Sequence, residues 1–95
     1  PYIYEESLMK FFVMSWNQIV EDQESYRVAW NENLKSSDPL LKYKTGLLME
    51  RVADGPIQEF DSELMREVMD IITVHEDGRL QIRFYDGTEF ELTAE

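Results

Sequence analysis

A chain of 95 residues, 43% hydrophobic and 13% aromatic, can fill one small core with a radius of gyration of about 12 Å, which argues against disorder. It has no cysteine, which excludes disulfides, thiol nucleophiles, iron–sulfur clusters and Cys-type zinc sites. Twenty acidic residues against nine basic ones give a net charge of -11, a poor balance for autonomous binding to a phosphate backbone, and no apolar run is long enough for a signal peptide or a membrane span.

Glu5 to Lys35 contains no Gly or Pro and places Leu8, Phe12, Trp16, Ile19, Tyr26, Trp30 and Leu34 at steps of three and four, with Gln23 filling the gap. This spacing predicts a long first helix. At 1.5 Å per residue it would measure about 46 Å, more than the ~30 Å a domain of this size spans. It therefore bends near Glu21 to Ser25 or protrudes. Leu8 to Trp16 is apolar nearly all round, and such a helix needs more than one covering surface. Leu8, Phe11, Phe12 and Met14 are accordingly interface candidates, facing a preceding domain or a second copy. A tightly wrapped internal core is the alternative.

Asp38-Pro39 is a helix start, with Asp38 as the cap and Pro39 at the first helical position. The second helix runs to about Ala53, antiparallel to the first, with Leu40, Tyr43, Leu47 and Leu48 expected inward. Asp54-Gly55-Pro56 ends it. A short third helix starts from the cap Asp61, and Phe60 with Met65 has the spacing of a hydrophobic staple. Leu64, Val68 and Ile71 form its expected buried stripe, and it runs straight into a strand near Ile72.

From Ile72 onward apolar and polar residues alternate around two Asp-Gly turns, Asp77-Gly78 and Asp86-Gly87, which is the pattern of a three-stranded antiparallel meander. Two-residue loops would split the apolar set between faces. Three-residue loops with Gly in the left-handed position pair Val74 with Leu80, Ile72 with Ile82, Ile82 with Phe90 and Leu80 with Leu92. Ile72, Val74, Leu80, Ile82, Phe84, Phe90 and Leu92 then pack on the helices. Thr73, His75, Arg79, Gln81, Arg83, Tyr85, Glu89 and Glu91 take the other face, with Arg83 opposite Glu89. The expected fold class is α+β in one domain over 1–95, helical over 5–71, with the meander over 72–93.

No catalytic, cofactor-binding or metal-ligating set stands out. His75 is the only histidine, so triads and His-based metal sites lack partners. Close carboxylate pairs are expected by chance among twenty. Lys42 and Lys44 on the second helix, and Arg79 and Arg83 on the polar sheet face, are the candidates for contact with DNA phosphates beside a stronger binding domain.

Several features recur in a fixed order: Phe12-x3-Trp16-Asn17-x-Ile19-Val20, then Trp30 and Leu34, then Lys35-Ser36-Ser37-Asp38-Pro39-Leu40-x2-Tyr43. Gly55-Pro56-x3-Phe60-Asp61-x2-Leu64 follows, and the turns Asp77-Gly78-Arg79 and Asp86-Gly87-Thr88-Glu89 close the series. Together these resemble the C-terminal segment that follows the zinc ribbon in serine site-specific recombinases of the resolvase and large integrase group. The resemblance implies a parent with an N-terminal serine catalytic domain, a recombinase domain and a Cys-rich ribbon that grip DNA. None of the catalytic or zinc-ligand residues has a counterpart here, so the expectation is a non-catalytic C-terminal fragment without cofactors, acting in the cytoplasm. It would meet DNA through its parent, and the preceding ribbon or a second copy through its first helix, with no membrane partner. Pro1 is then an internal cut or a start exposed by loss of methionine. The second reading is an independent acidic interaction domain or DNA mimic.

Overall fold

The computed structural model describes residues 2–93. Its elements are α1 (Tyr2–Glu21), α2 (Gln23–Leu34), α3 (Pro39–Ala53), α4 (Ser62–Val68), β1 (Met69–Val74), β2 (Leu80–Phe84) and β3 (Glu89–Leu92). The strands form one antiparallel sheet in the order β1-β2-β3, so the α+β class holds. No helix among the described residues is long and apolar enough to cross a membrane.

The predicted long helix is two helices, because Asp22 leaves helical geometry at φ -97° and ψ 18°. The polar stretch around it supplies alternative partners for the freed groups. The Asp22 carbonyl accepts from Ser25 N at 2.8 Å and Ser25 Oγ at 2.7 Å, and Gln23 Nε2 donates to the Val20 carbonyl at 2.9 Å. The break lets the molecule fit within 39 × 26 × 23 Å, where a straight helix of about 46 Å would project.

α1 is the central element. Phe11, Phe12, Ser15, Trp16, Ile19 and Val20 are all buried and spread over about half of its circumference. Phe12 meets Phe60 edge-on at 5.9 Å between ring centroids and Phe84 at 6.0 Å, while Trp16 lies 6.1 Å from Phe84. The all-round apolar start is thus covered by the sheet on one side and by the segment before α4 on another. Phe11 and Phe12, 2% and 0% exposed, belong to the internal core and face no absent neighbour. Leu8 packs partly buried against the same core, and only Met14, at 58% exposure, stays on the surface.

α3 begins and ends as expected. Asp38 Oδ1 accepts from Leu40 N at 3.0 Å and Leu41 N at 3.4 Å. Its buried side differs in part: Leu48 is inside as expected, but its companions are Thr45 and Val52, whereas Leu40 and Tyr43 are each 62% exposed and Leu47 is half-buried. Apolar residues surround this helix, so periodicity could not choose the face. Packing on α2 and α4 chose it, with the Thr45 hydroxyl near Asn33 Nδ2 at 3.4 Å.

Asp61 caps α4 through Glu63 N and Leu64 N at 3.0 and 3.1 Å. The chain turns extended at Met69, three residues before the expected strand start, and a bulge lies between Met69 and Ile71. Ile71 is consequently 48% exposed: once the period is two, it points away from its neighbour Ile72, and it leaves the buried stripe predicted for it.

The meander register is the predicted one. Val74 pairs with Leu80, Ile72 with Ile82, Leu80 with Leu92, Ile82 with Phe90 and Arg83 with Glu89. Both loops carry Gly at positive φ, 91° for Gly78 and 95° for Gly87, as a three-residue loop requires. Leu80, Ile82 and Phe84 are fully inside, while Val74, at the end of β1, keeps its partner but is half exposed instead of packed on the helices.

Candidate interaction surfaces

The face of the sheet turned away from α1 is a lattice of opposite charges. Arg79 is held by Asp77 at 2.8 Å and Glu91 at 3.5 Å, and Arg83 by Asp70 at 3.2 Å and Glu89 at 3.9 Å. Gln81 Nε2 donates to Glu89 Oε1 at 3.3 Å, and the His75 ring approaches Gln81 Oε1 at 3.4 Å. Four carboxylates thus surround two guanidinium groups. Hydrogen bonds from the Arg79 backbone and side chain hold the Asp77 carboxyl below its ordinary range. The two arginines proposed for phosphate contact are already engaged by acids, and a phosphate would have to displace them.

Lys42 and Lys44 are two residues apart on α3 and so project to different sides. Lys44 lies over the Tyr85 ring at 4.5 Å, a cation–π contact between α3 and the second loop of the sheet. Lys42 lines an open groove with Leu34, Tyr43, Gly46, Leu47 and Glu50. The four basic candidates therefore form no single patch.

An apolar groove of about 280 Å³ runs beside α1 between Leu8, Met9, Phe60, Met65 and Met69. A second hollow, lined by Met9, Val13, Met14 and Phe60, shares two of its residues. Four of the five methionines of the chain border these hollows. Unbranched thioether side chains adapt to varied partners, which makes this an adaptable apolar surface. Of the four predicted interface residues, Leu8 and Met14 border it.

Three fastenings escaped the sequence reading. Asp86 Oδ2 accepts from the Trp30 indole at 2.6 Å and from Thr88 Oγ1 at 2.8 Å, and its Oδ1 accepts from Thr88 N at 3.0 Å. The second Asp-Gly turn is thereby tied to α2. Trp30 stacks on Tyr26 at 5.8 Å, whose hydroxyl is pushed to a higher pKa by burial first and then by Asp22 and Asp86. Asn17 grips the backbone of Ile57 with both ends of its amide at 2.8 Å, fixing the α3–α4 connection to α1. Arg51 clasps Glu67 through Nε at 3.0 Å and Nη2 at 2.8 Å, joining α3 to α4. That hydrogen-bonded fork pushes Glu67 below its ordinary pKa and Arg51 above its own. A polar residue inside an apolar helix was the available signal for Asn17. The other two fastenings span sequence separations of 56 and 16 residues and left no local trace.

Among the described residues no group of three or more His, Asp or Glu side chains is placed to hold a metal ion. Comparison with family models, curated proteins and solved structures finds no match to this chain.

Proposed function

We propose that this chain is an accessory, non-catalytic C-terminal module of a serine site-specific DNA recombinase, supporting DNA binding or subunit contacts during strand exchange in the cytoplasm. One observation carries the reading: the ordered series from Phe12 to Glu89 that resembles the segment following the zinc ribbon. Its members hold structural joints in the fold. Trp16, Ile19 and Trp30 are core residues, Asp38 and Asp61 are caps, and Asp86 fastens the sheet to α2. A signature made of joints suits a module that supports a neighbour and leaves the chemistry to it. In this reading the methionine-rich groove beside α1 receives the preceding zinc-ribbon domain, and DNA is gripped by the parent.

The net charge of -11 and the engaged state of Arg79 and Arg83 set the expected outcome of a titration. The isolated chain should bind duplex DNA no tighter than about 10⁻⁴ M at physiological salt. Micromolar binding would overturn the accessory role. The lattice of paired charges on the sheet also favours a second reading, an independent acidic interaction domain or DNA mimic. The genomic frame upstream of Pro1 separates the two: an in-frame serine catalytic domain and Cys-rich ribbon are expected, and a start codon directly before Pro1 would remove the first reading.

A further inference from the structure

The outer side of α3 is an unpartnered face with its own internal logic. Leu40 and Tyr43 are each 62% exposed, and the groove beside them is about 380 Å³, lined by Leu34, Lys42, Tyr43, Gly46, Leu47 and Glu50. Lys42, Tyr43, Gly46, Leu47 and Glu50 lie on one side of the helix by spacing. The floor of the groove is Gly46, and a Cβ placed there would meet nothing within 4 Å. Another helix could approach the backbone closely at that point. Lys42 and Glu50, the two charges of the groove, have no ion-pair partner among the described residues, although most arginines of the chain do.

The two charges stand four residues before and four residues after Gly46. A two-fold axis through Gly46, perpendicular to α3, brings a second copy against this face in antiparallel orientation. Each position before Gly46 on one copy then meets the position equally far after it on the other. Lys42 of each copy faces Glu50 of the other, so a single groove supplies two opposite-charge pairs. Tyr43 and Leu47 lie on the same side of the seam, so Tyr43 of one copy comes beside Leu47 of the other, offset by two residues or about 3 Å along the helix. This is the self-complementarity an isologous contact requires.

We propose that the α3 face centred on Gly46 is the contact of an antiparallel homodimer, with Lys42 and Glu50 pairing reciprocally across it. The proposal does not depend on the recombinase reading. α3 has 15 residues and is about 22 Å long, so the contact is at the small end of specific interfaces and the dimer is transient, with Kd of about 10⁻⁵ to 10⁻⁴ M. Because a net charge of -11 on each copy opposes association, added salt in the physiological range should strengthen the dimer at first.

Sedimentation equilibrium of the full chain and of three charge variants tests this, with thermal unfolding of each variant as the check on folding. The wild type should be in monomer–dimer equilibrium. Lys42→Glu and Glu50→Lys should each raise Kd about tenfold, since each turns both pairs repulsive. The double variant should return to within about threefold of wild type, and an equimolar mixture of the two single variants should associate more tightly than either alone. General charge repulsion predicts a different order, because Glu50→Lys lowers the negative charge and would then tighten the dimer. That order, or an entirely monomeric wild type up to about 1 mM, overturns the proposal. So does a mixture no tighter than its components, which would mean the face serves a different partner.

Discussion

The two Asp-Gly turns share a sequence pattern but not a tertiary role, and replacing each aspartate with alanine exposes the difference. In Asp86→Ala the Trp30 indole N–H, on a residue 1% exposed, loses its acceptor at 2.6 Å. An orphaned buried donor costs about 1–3 kcal/mol, and losing the two bonds to Thr88 adds about 1 kcal/mol after water compensates in part. The total of about 2–4 kcal/mol is large beside the roughly 5–14 kcal/mol expected for a chain of 95 residues. At about 4–8 °C per kcal/mol, the Tm should fall by about 8–32 °C in calorimetry or circular dichroism. Asp77→Ala removes bonds only to Arg79, on the open face, and should shift the Tm by less than half as much. A double-mutant cycle of Asp86→Ala with Trp30→Phe should return a coupling of about 1–2 kcal/mol. Equal shifts from the two aspartates, or additive effects in the cycle, would refute a buried tether between the second turn and α2.

Two glycines should respond in opposite directions. Gly46→Ala, in the middle of α3 with open space where its Cβ would go, should stabilise the monomer by about 0.5–1 kcal/mol in denaturant titrations at low concentration. Gly87→Ala, at φ 95°, should cost about 1–2 kcal/mol and show that the left-handed loop position is real. Glu67 sits below its ordinary pKa of 4.5 because Arg51 holds its charged form. Its contribution is therefore complete above pH 4.5 and is lost as the pH falls through the lower value it has in the folded chain. Glu67→Gln should cost about 1 kcal/mol at neutral pH and flatten stability against pH below 4.5, and an unchanged acid limb would contradict the fork's role.

What was legible in the residues is what a few neighbours settle. Asp38 and Asp61 each cap amides two and three residues ahead, and Gly78 and Gly87 close loops of three. The strand register followed from those loops, since a slip of one residue would have sent Leu80 and Ile82 to water. The break in the first helix was readable as a length conflict, and its place as a polar stretch. What failed were choices between faces. α3 carries apolar residues all round, and nothing near Tyr43 in the chain says that Thr45 goes inside in its stead. Phe11 and Phe12 looked like excess apolar surface until the sheet and Phe60 closed over α1 from two sides.

Among the candidate residues, Lys42, Lys44, Arg79 and Arg83 could be named from composition alone, but their availability could not. Arg79 and Arg83 find acids on adjoining strands, Lys44 finds Tyr85 across 41 positions, and Lys42 has neither an ion-pair nor a cation–π partner among the described residues. By itself the sequence determined the caps of α3 and α4, the two turns and the pairing of the strands, because caps, turns and alternation act over one to five residues. The rotation of α3, the covering of α1 and the engagement of Asp86 by Trp30 were decided by the tertiary structure. Each depends on contacts between segments far apart in the chain, whose free energy appears only when those segments share one core.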